Sequence, residues 1–469
     1  VQLLEKRPEE VWRNERLAWH RAHSADMTQT PSALLELAED LHRRGRDEQA
    51  LDVLSRVDSL NVAEAKTSAR LALARGEVFD RLGRHDQALT ALRAGRRLAR
   101  DLDDPELTGR ALVILARVHH HLGDERRATS LSEEAIERLE VHEQSPFLPA
   151  ALQISANAHR LAGKPESSDA AYRRCLQVAQ RQGNREYMAR AAGGLGILFA
   201  EEGHLEQAIH YLKQECGWFR AHGRRERLVL CLYRMSVCHR RLGRPDLALE
   251  ALEEAENIAR FGALSYHQAL VRVGRAAVHL SLGDVAGAST LLEKARDARD
   301  PNAPTWIRVN WQGEQAHLRL RGGDIQAALA VYQAAEIEAN RAGYTVLASF
   351  FLGMTGVITA DPDSITDAMT ILGSAGDRTM GARLLLHGAT VGGDSEVMES
   401  AMEEIRASGD RFLLLEVLLA SAGAEHQTEA LSIAREIAEH VPAHLLTSYL
   451  DQPMIRWTGL RSMFRARRG

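Results

Sequence analysis

The chain has 469 residues, 45% of them hydrophobic and 26% charged, the proportions of a folded globular protein rather than a disordered or membrane-embedded one. Lys and Arg number 59 against 64 Asp and Glu, a net charge of −5, which argues against a protein built mainly to coat nucleic acid, because phosphate neutralisation needs a basic surplus. No run approaches the roughly 18 uninterrupted apolar residues of a membrane span. The 12 prolines and 5% aromatics disfavour β sandwiches and barrels. Four cysteines are too few for a disulfide scaffold and suit a reducing cytoplasm. The first residue is Val1 rather than Met and no signal-peptide pattern follows, so the chain reads as a piece of a longer polypeptide.

From the N-terminus, residues 1–32 are read as a helical linker or cap, with one helix around residues 12–23 and a Thr30-Pro31-Ser32 start signal for the next. A repeat then dominates. Gly83, Gly123, Gly163, Gly203, Gly243, Gly283 and Gly323 recur every 40 residues, and Gly45 lies 38 before the first. Five residues after each Gly stands Ala50, Ala88, Ala128, Ser168, Ala208, Ala248, Ala288 or Ala328. Seven before it stands a second small column: Gly76, Ala116, Ala156, Gly196, Ser236, Ala276 and Ala316. Around these columns apolar residues step by three and four, as in Ala248, Leu252, Ala255 and Ile258, which marks one face of a helix. Each unit therefore reads as helix A, a Gly turn and helix B, with Gly supplying the left-handed conformation that ends a helix and small residues letting the two backbones cross closely. A second turn series, at Gly183, Gly223, Gly343, Asp103-Asp104-Pro105 and Pro301-Asn302-Ala303-Pro304, closes helix B.

These columns, with "LGRHDQAL" at residues 82–89 and "LGRPDLAL" at 242–249, resemble the tetratricopeptide repeat family over roughly residues 33–345. The resemblance implies an all-α, right-handed α-solenoid of antiparallel helix hairpins, a superhelix of about eight regular repeats. The period of 40 rather than the usual 34 predicts longer helices. The aromatic place of the motif holds Phe79, His119, His159, Phe199, His239 and His279. Beyond 345 the ruler blurs, and residues 346–469 are expected to form shorter, degenerate hairpins and a cap, ending in the basic tail Arg465-Ala466-Arg467-Arg468-Gly469.

Chemical motifs are scarce. Gly163-Lys164 lacks the Gly and Ser/Thr of a nucleotide-binding loop, and Gly193-Gly194-Leu195-Gly196 reads as close helix packing. Gln214-Glu215-Cys216-Gly217-Trp218 resembles a caspase string, but a thiol inside helix B reads as core. The histidine column places one ring per repeat, too far apart for the ~2 Å convergence a metal needs. Cys231 and Cys238 lie too far apart along one helix to share a zinc. No catalytic site, metal or cofactor is expected.

What remains is a surface. In the resembled family helix A lines the concave groove, and its outward positions here include Arg110, Arg117, His120, His121, Asn157, Arg160, Arg190, Tyr233, Arg234, Arg240 and Arg241. Arg forks and Asn amides suit carboxylates and peptide backbone, so an acidic protein or peptide partner is expected, with no role in nucleic-acid or membrane binding. The family's clamp for a peptide carboxylate is not reproduced, since Gln153 and Gly194 stand where clamp residues should be. The 40-residue variety resembles sensor arms of bacterial signal-transduction ATPases and kinase-linked regulators. The expectation is a cytoplasmic, non-catalytic scaffold or sensor module. The alternative is the regulatory half of an enzyme (ATPase, kinase or protease) or transcription regulator whose effector domain lies N-terminal to Val1.

Overall fold

A computed structural model describes residues 30–456 apart from 44, 61, 63, 143, 263, 300–302, 393–394 and 422. The expected helix at 12–23 and the basic tail at 465–469 lie outside the described residues. Among the described residues every regular element is helical: the fold is all-α, built of consecutive antiparallel hairpins.

The chain divides into two compact units, residues 1–155 and 156–469. The first holds hairpins α1 (Thr30–Arg43)/α2 (Asp47–Ser59), α3 (Ala65–Arg81)/α4 (His85–Asp101) and α5 (Pro105–His121)/α6 (Glu125–Leu139). α7 (Leu148–Leu161) runs across the boundary. The second continues with α8 (Pro165–Arg181), α9 (Arg185–Glu201)/α10 (Leu205–Ala221), α11 (Arg225–Arg241)/α12 (Pro245–Phe261), α13 (Ser265–Ser281)/α14 (Val285–Lys294) and α15 (Thr305–Arg321)/α16 (Ile325–Ala342). It finishes with α17 (Thr345–Thr359)/α18 (Pro362–Ser374), α19 (Arg378–Gly392)/α20 (Ser395–Ser408), α21 (Arg411–Ala420)/α22 (Ala424–Glu439) and the short α23 (Leu446–Leu450) and α24 (Pro453–Arg456).

The period has a simple origin. From α8 to α13 each helix has 17 residues and three turn residues follow it, so helix starts recur every 20 residues and hairpins every 40. At 1.5 Å per residue each helix is about 25 Å long. The turn is a Schellman motif: Gly243 N–H donates to Arg240 O at 2.9 Å, Arg244 N–H donates to His239 O at 2.9 Å, and Gly243 has φ +72°. Gly45, Gly83, Gly123, Gly163, Gly203, Gly283 and Gly323 share the positive φ, which only Gly adopts without a Cβ penalty. Five residues on, Ala50, Ala88, Ala128, Ser168, Ala208, Ala248, Ala288 and Ala328 all have 0% exposure. Ser168 keeps its hydroxyl satisfied there by donating to Ala156 O at 2.8 Å, which ties the two small columns together. The glycine cluster of α9 is packing: a Cβ at Gly193 would collide with the Glu215 carboxylate and one at Gly194 with the Tyr172 ring.

Within the second unit the last helices return against the A–B turns of the earlier hairpins. Gly203 O lies 3.0 Å from the place a Gly409 Cβ would occupy, and Gly283 faces Gln452 and Ser448. A Cβ at Gly243 would come within 3.1 Å of Ile437. Arg241 is 3% exposed and donates to Ala200 O and to Ser408 O, fastening the α20–α21 joint to α11. Arg321 of α15 pairs with Glu416 of α21. One apolar core holds Leu212, Phe219 and Leu252 together with Leu415, Ile437 and Tyr449. Cys216 and Cys231, in α10 and α11, are paired as a buried disulfide. The cross-link corrects the reading of Cys216 as a core thiol, because pairing depends on the close approach of two particular helices, which the cysteine count does not reveal.

The turn glycines separate backbone strain from crowding. Gly323 has φ +82° and open space around it, whereas a Cβ at Gly203 would collide with Ala407 O. Gly323→Ala is expected to cost about 1–2 kcal/mol, and Gly203→Ala about 3 kcal/mol or more because crowding adds to the same strain. Urea unfolding of the two variants checks this, and equal losses would show that the return of the C-terminal helices does not crowd that turn.

Candidate ligand-binding cavity on the inner helix faces

Helix A positions one repeat apart project to the same side, so 233, 273 and 313 form one row, 234, 274 and 314 the next, and 237, 277 and 317 a third. In the second unit these rows line a cavity of about 290 Å³ bounded by α9, α11, α13, α15, α17 and α19, with Tyr332 from α16 and Asp377 from the joint before α19. All the A helices from α9 to α19 therefore contribute to one site. α19 was not expected on that wall, because only the return of the C-terminal hairpins brings it there.

The expected groove residues fall into two groups. Tyr233, Arg234, Arg240 and Arg241 line the cavity. Asn157, Arg160 and Arg190 belong to the same unit but outside that lining: Asn157 accepts the Tyr172 hydroxyl at 2.5 Å, Arg160 pairs with Glu201 at 2.7 Å and Arg190 with Glu186 at 2.6 Å. In the first unit Arg110 bridges Glu39 at 3.1 Å and Glu77 at 2.7 Å, while Arg117 and His121 converge on buried Asp80 at 2.8 and 2.9 Å. Together Arg117 and the His121 ring hold the Asp80 carboxyl well below its usual range against the cost of burial. His120 meets Glu125 at 2.7 Å. Many of these cations are thus held by acids of neighbouring helices, a pairing that helical periodicity does not reveal. The histidine column has a related duty: His119 and His279 reach the aspartates that cap the following helix, Asp124 at 3.3 Å and Asp284 at 2.8 Å. Among the described residues no group of three or more His, Cys, Asp or Glu is placed to hold a metal ion, and no helix is long and apolar enough to cross a membrane.

Sequence reasoning missed Glu314, His317 and Arg383. Glu314 and His317 sit on the inner rows of α15, and their 40-residue register with Arg234 and Val237 was the signal available. Burial pushes the Glu314 carboxyl up, against the opposing pull of Arg383 and Arg240. Burial, aided by Arg321 and Arg383, holds the His317 imidazole well below its usual range, and burial with the same two arginines brings His387 of α19 down to about 4. The two rings meet edge to face with centroids 6.3 Å apart.

Serial hairpins, small-residue crossings and an inner face made of A helices define a helical repeat protein of the tetratricopeptide type. The chain belongs to the family of the MalT-like TPR region, which it matches over residues 103–375, more than half its length. A tetratricopeptide repeat also matches at residues 31–56. The search of curated proteins finds no match. Among solved structures, a Rap protein complexed with competence and sporulation factor shares the fold, with TM-score 0.53 and 14% identity over 80% of this chain and 100% of that one. The apo form of RapI gives 0.48, with 15% identity over 58% of this chain and 98% of that one. A signal-transduction ATPase with a tetratricopeptide sensor from Pyrococcus horikoshii gives 0.44, with 14% identity over 83% of this chain and 54% of that one.

The buried histidines set an acid limit. Above about pH 6.5 each ring is neutral in folded and unfolded chains alike; below it the unfolded chain takes a proton that the folded site refuses, so stability falls with acid. The loss is about 1.4 kcal/mol per pH unit and histidine, running down to about pH 4 for His387. Urea unfolding at about pH 7.5 and about pH 5 should show a smaller acid loss in the H317Q/H387Q double variant than in the wild type. Equal losses would place the acid sensitivity elsewhere.

Proposed function

We propose that this chain is a non-catalytic, cytoplasmic sensor or scaffold module of a bacterial signalling protein, and that it binds a protein or peptide partner on the inner faces of its A helices. The observation that carries the reading is the cavity itself, to which successive hairpins each contribute the inward face of their A helix, so that the stacking of repeats and the making of a binding surface are the same event. The surface combines an aromatic platform, Tyr233, with guanidinium groups that recognise carboxylates and backbone carbonyls. The Rap structure of like fold is complexed with competence and sporulation factor, which supports a ligand-binding reading of the stack. A partner that favours one packing of the hairpins over another would bias an attached effector, a two-state mechanism.

Arg234 is the cation best suited to a test, because its contact with Glu215 is loose at 3.7 Å and its side chain is 35% exposed. With the chain as bait, R234E and Y233A are each expected to weaken capture of the partner roughly tenfold or more while helicity by circular dichroism is unchanged. Capture unaffected by both substitutions would remove the inner-face reading.

A further inference from the structure

The cavity is hollow for a reason that can be read along its rows. Where α11 places Tyr233, Arg234 and Val237, the equivalent inner positions of α13 and α15 include Gly274, Ala277 and Gly313. The small side chain at Ala277 and the missing one at Gly313 leave the space open, whereas Gly274 is glycine because the Tyr233 ring and Leu252 pack within about 3 Å of where its Cβ would stand. A Cβ at Gly313 would meet the Phe351 ring alone, at 3.3 Å, and the ring would have to give by a few tenths of an ångström, while no backbone of a neighbouring helix stands in its way.

The lining combines two kinds of group. Val309, Tyr332, Leu347, Phe350, Phe351 and Met380 are apolar or aromatic, with Tyr332 and Phe351 ring centroids 6.1 Å apart. Among them stand the charged Arg240, Arg383 and Glu314. Arg383 makes no ion pair or hydrogen bond among the described residues, and Arg240 makes one hydrogen bond there, to the Ser281 hydroxyl at 3.2 Å. Each guanidinium offers five N–H donors in a planar fork. The whole lining sets four arginines, Arg234, Arg240, Arg241 and Arg383, against the three acids Glu201, Glu314 and Asp377, and Glu314 accepts no hydrogen bond from Arg240 or Arg383 among the described residues. The Thr379 hydroxyl also lines the cavity and is buried without a hydrogen-bond partner among the described residues. Cations and donors half-removed from water are costly unless matched, and this lining has a surplus of both. At about 290 Å³ the cavity lies at the small end of ligand pockets, which run from about 300 to 1,000 Å³, so the part of a ligand that enters it is compact.

We infer that the cavity binds an organic carboxylate, its head held by Arg240 and Arg383 and its compact aromatic or branched apolar body lying against Tyr332, Phe350 and Phe351. This gives the chemistry of the ligand for the inner-face site and rests on that reading. The carboxylate can arrive as a free organic acid or as the C-terminal residue of a peptide, since both present the same head and body.

Calorimetric titration of the full chain with 3-phenylpropanoate and with 3-phenylpropanamide tests the first source. Selection from random hexapeptides with free and with amidated C-termini tests the second. The acid in either form is expected to bind roughly tenfold or more tightly than its amide, and Arg383→Gln to remove that preference. Ala277→Leu, which fills the hollow with a good helix former, is expected to abolish binding with helicity unchanged; should that variant misfold, Arg383→Gln alone carries the test, since no ion pair depends on it among the described residues. Tighter binding of phenylpropanoate supports a free acid, and selection confined to free-carboxyl peptides with apolar last residues supports a peptide end. Equal binding of acids and amides would overturn the carboxylate anchor while leaving the inner-face site standing. Absence of binding by every probe, or binding indifferent to both substitutions, would overturn the inference, and the inner-face site would then be judged by partner capture with R234E and Y233A.

Discussion

The structure depends on a close crossing of two helices that neither could make with ordinary side chains. Ser168 and Ala208 have no exposed surface at all, and each lies against the small residue that precedes its turn by seven positions, Ser168 bonded to Ala156 O and Ala208 O 3.1 Å from where a Gly196 Cβ would stand. A side chain of any size at either place would push the helices of the hairpin apart. The left-handed glycine between them sets the angle at which helix B departs, and the two Schellman hydrogen bonds close the carbonyls that the end of helix A would otherwise leave open. Turn, small column and helix length then repeat together, because each hairpin must offer its neighbour the same flank that it received.

From that constraint the inner surface follows. Once hairpins stack, the third face of helix A has nothing to pack against within its own repeat, and its residues line up at 40-residue intervals. In the first unit this face is filled by ion pairs such as Arg110 with Glu39 and Glu77, and Arg117 with Asp80. In the second it is left open around Ala277 and Gly313, and the returning α19 closes it into a cavity. The same scaffold thus gives a locked, self-satisfied face in one unit and a site in the other, with inward side-chain size and charge pairing deciding between them.

Much of the fold was legible in the sequence. The Gly and Ala columns, the three-and-four steps of apolar residues and the 40-residue period state the hairpin, its turn and its longer helices without reference to coordinates, because these are local matters of backbone conformation and of one helix facing the next. Tyr233, Arg234, Arg240 and Arg241 were legible as inward residues for the same reason: helical geometry dictates which way they point. That Arg241 spends its donors on Ala200 and Ser408, that His119 and His279 serve helix caps, and that Cys216 meets Cys231 were not legible, since each depends on which atoms of another helix come within about 3 Å.

By itself, then, the amino-acid sequence determined an all-α chain of repeated hairpins with a particular face turned inward, because periodicity and glycine conformation are written in neighbouring residues. Only the tertiary structure decided that residues near 375–455 return to the turns at Gly163, Gly203, Gly243 and Gly283, and that Arg383 and Glu314 share one cavity. Those contacts join positions well over a hundred residues apart in most cases, where no local rule operates. Their existence rests on how small angular steps between successive hairpins accumulate, a quantity that no single repeat contains.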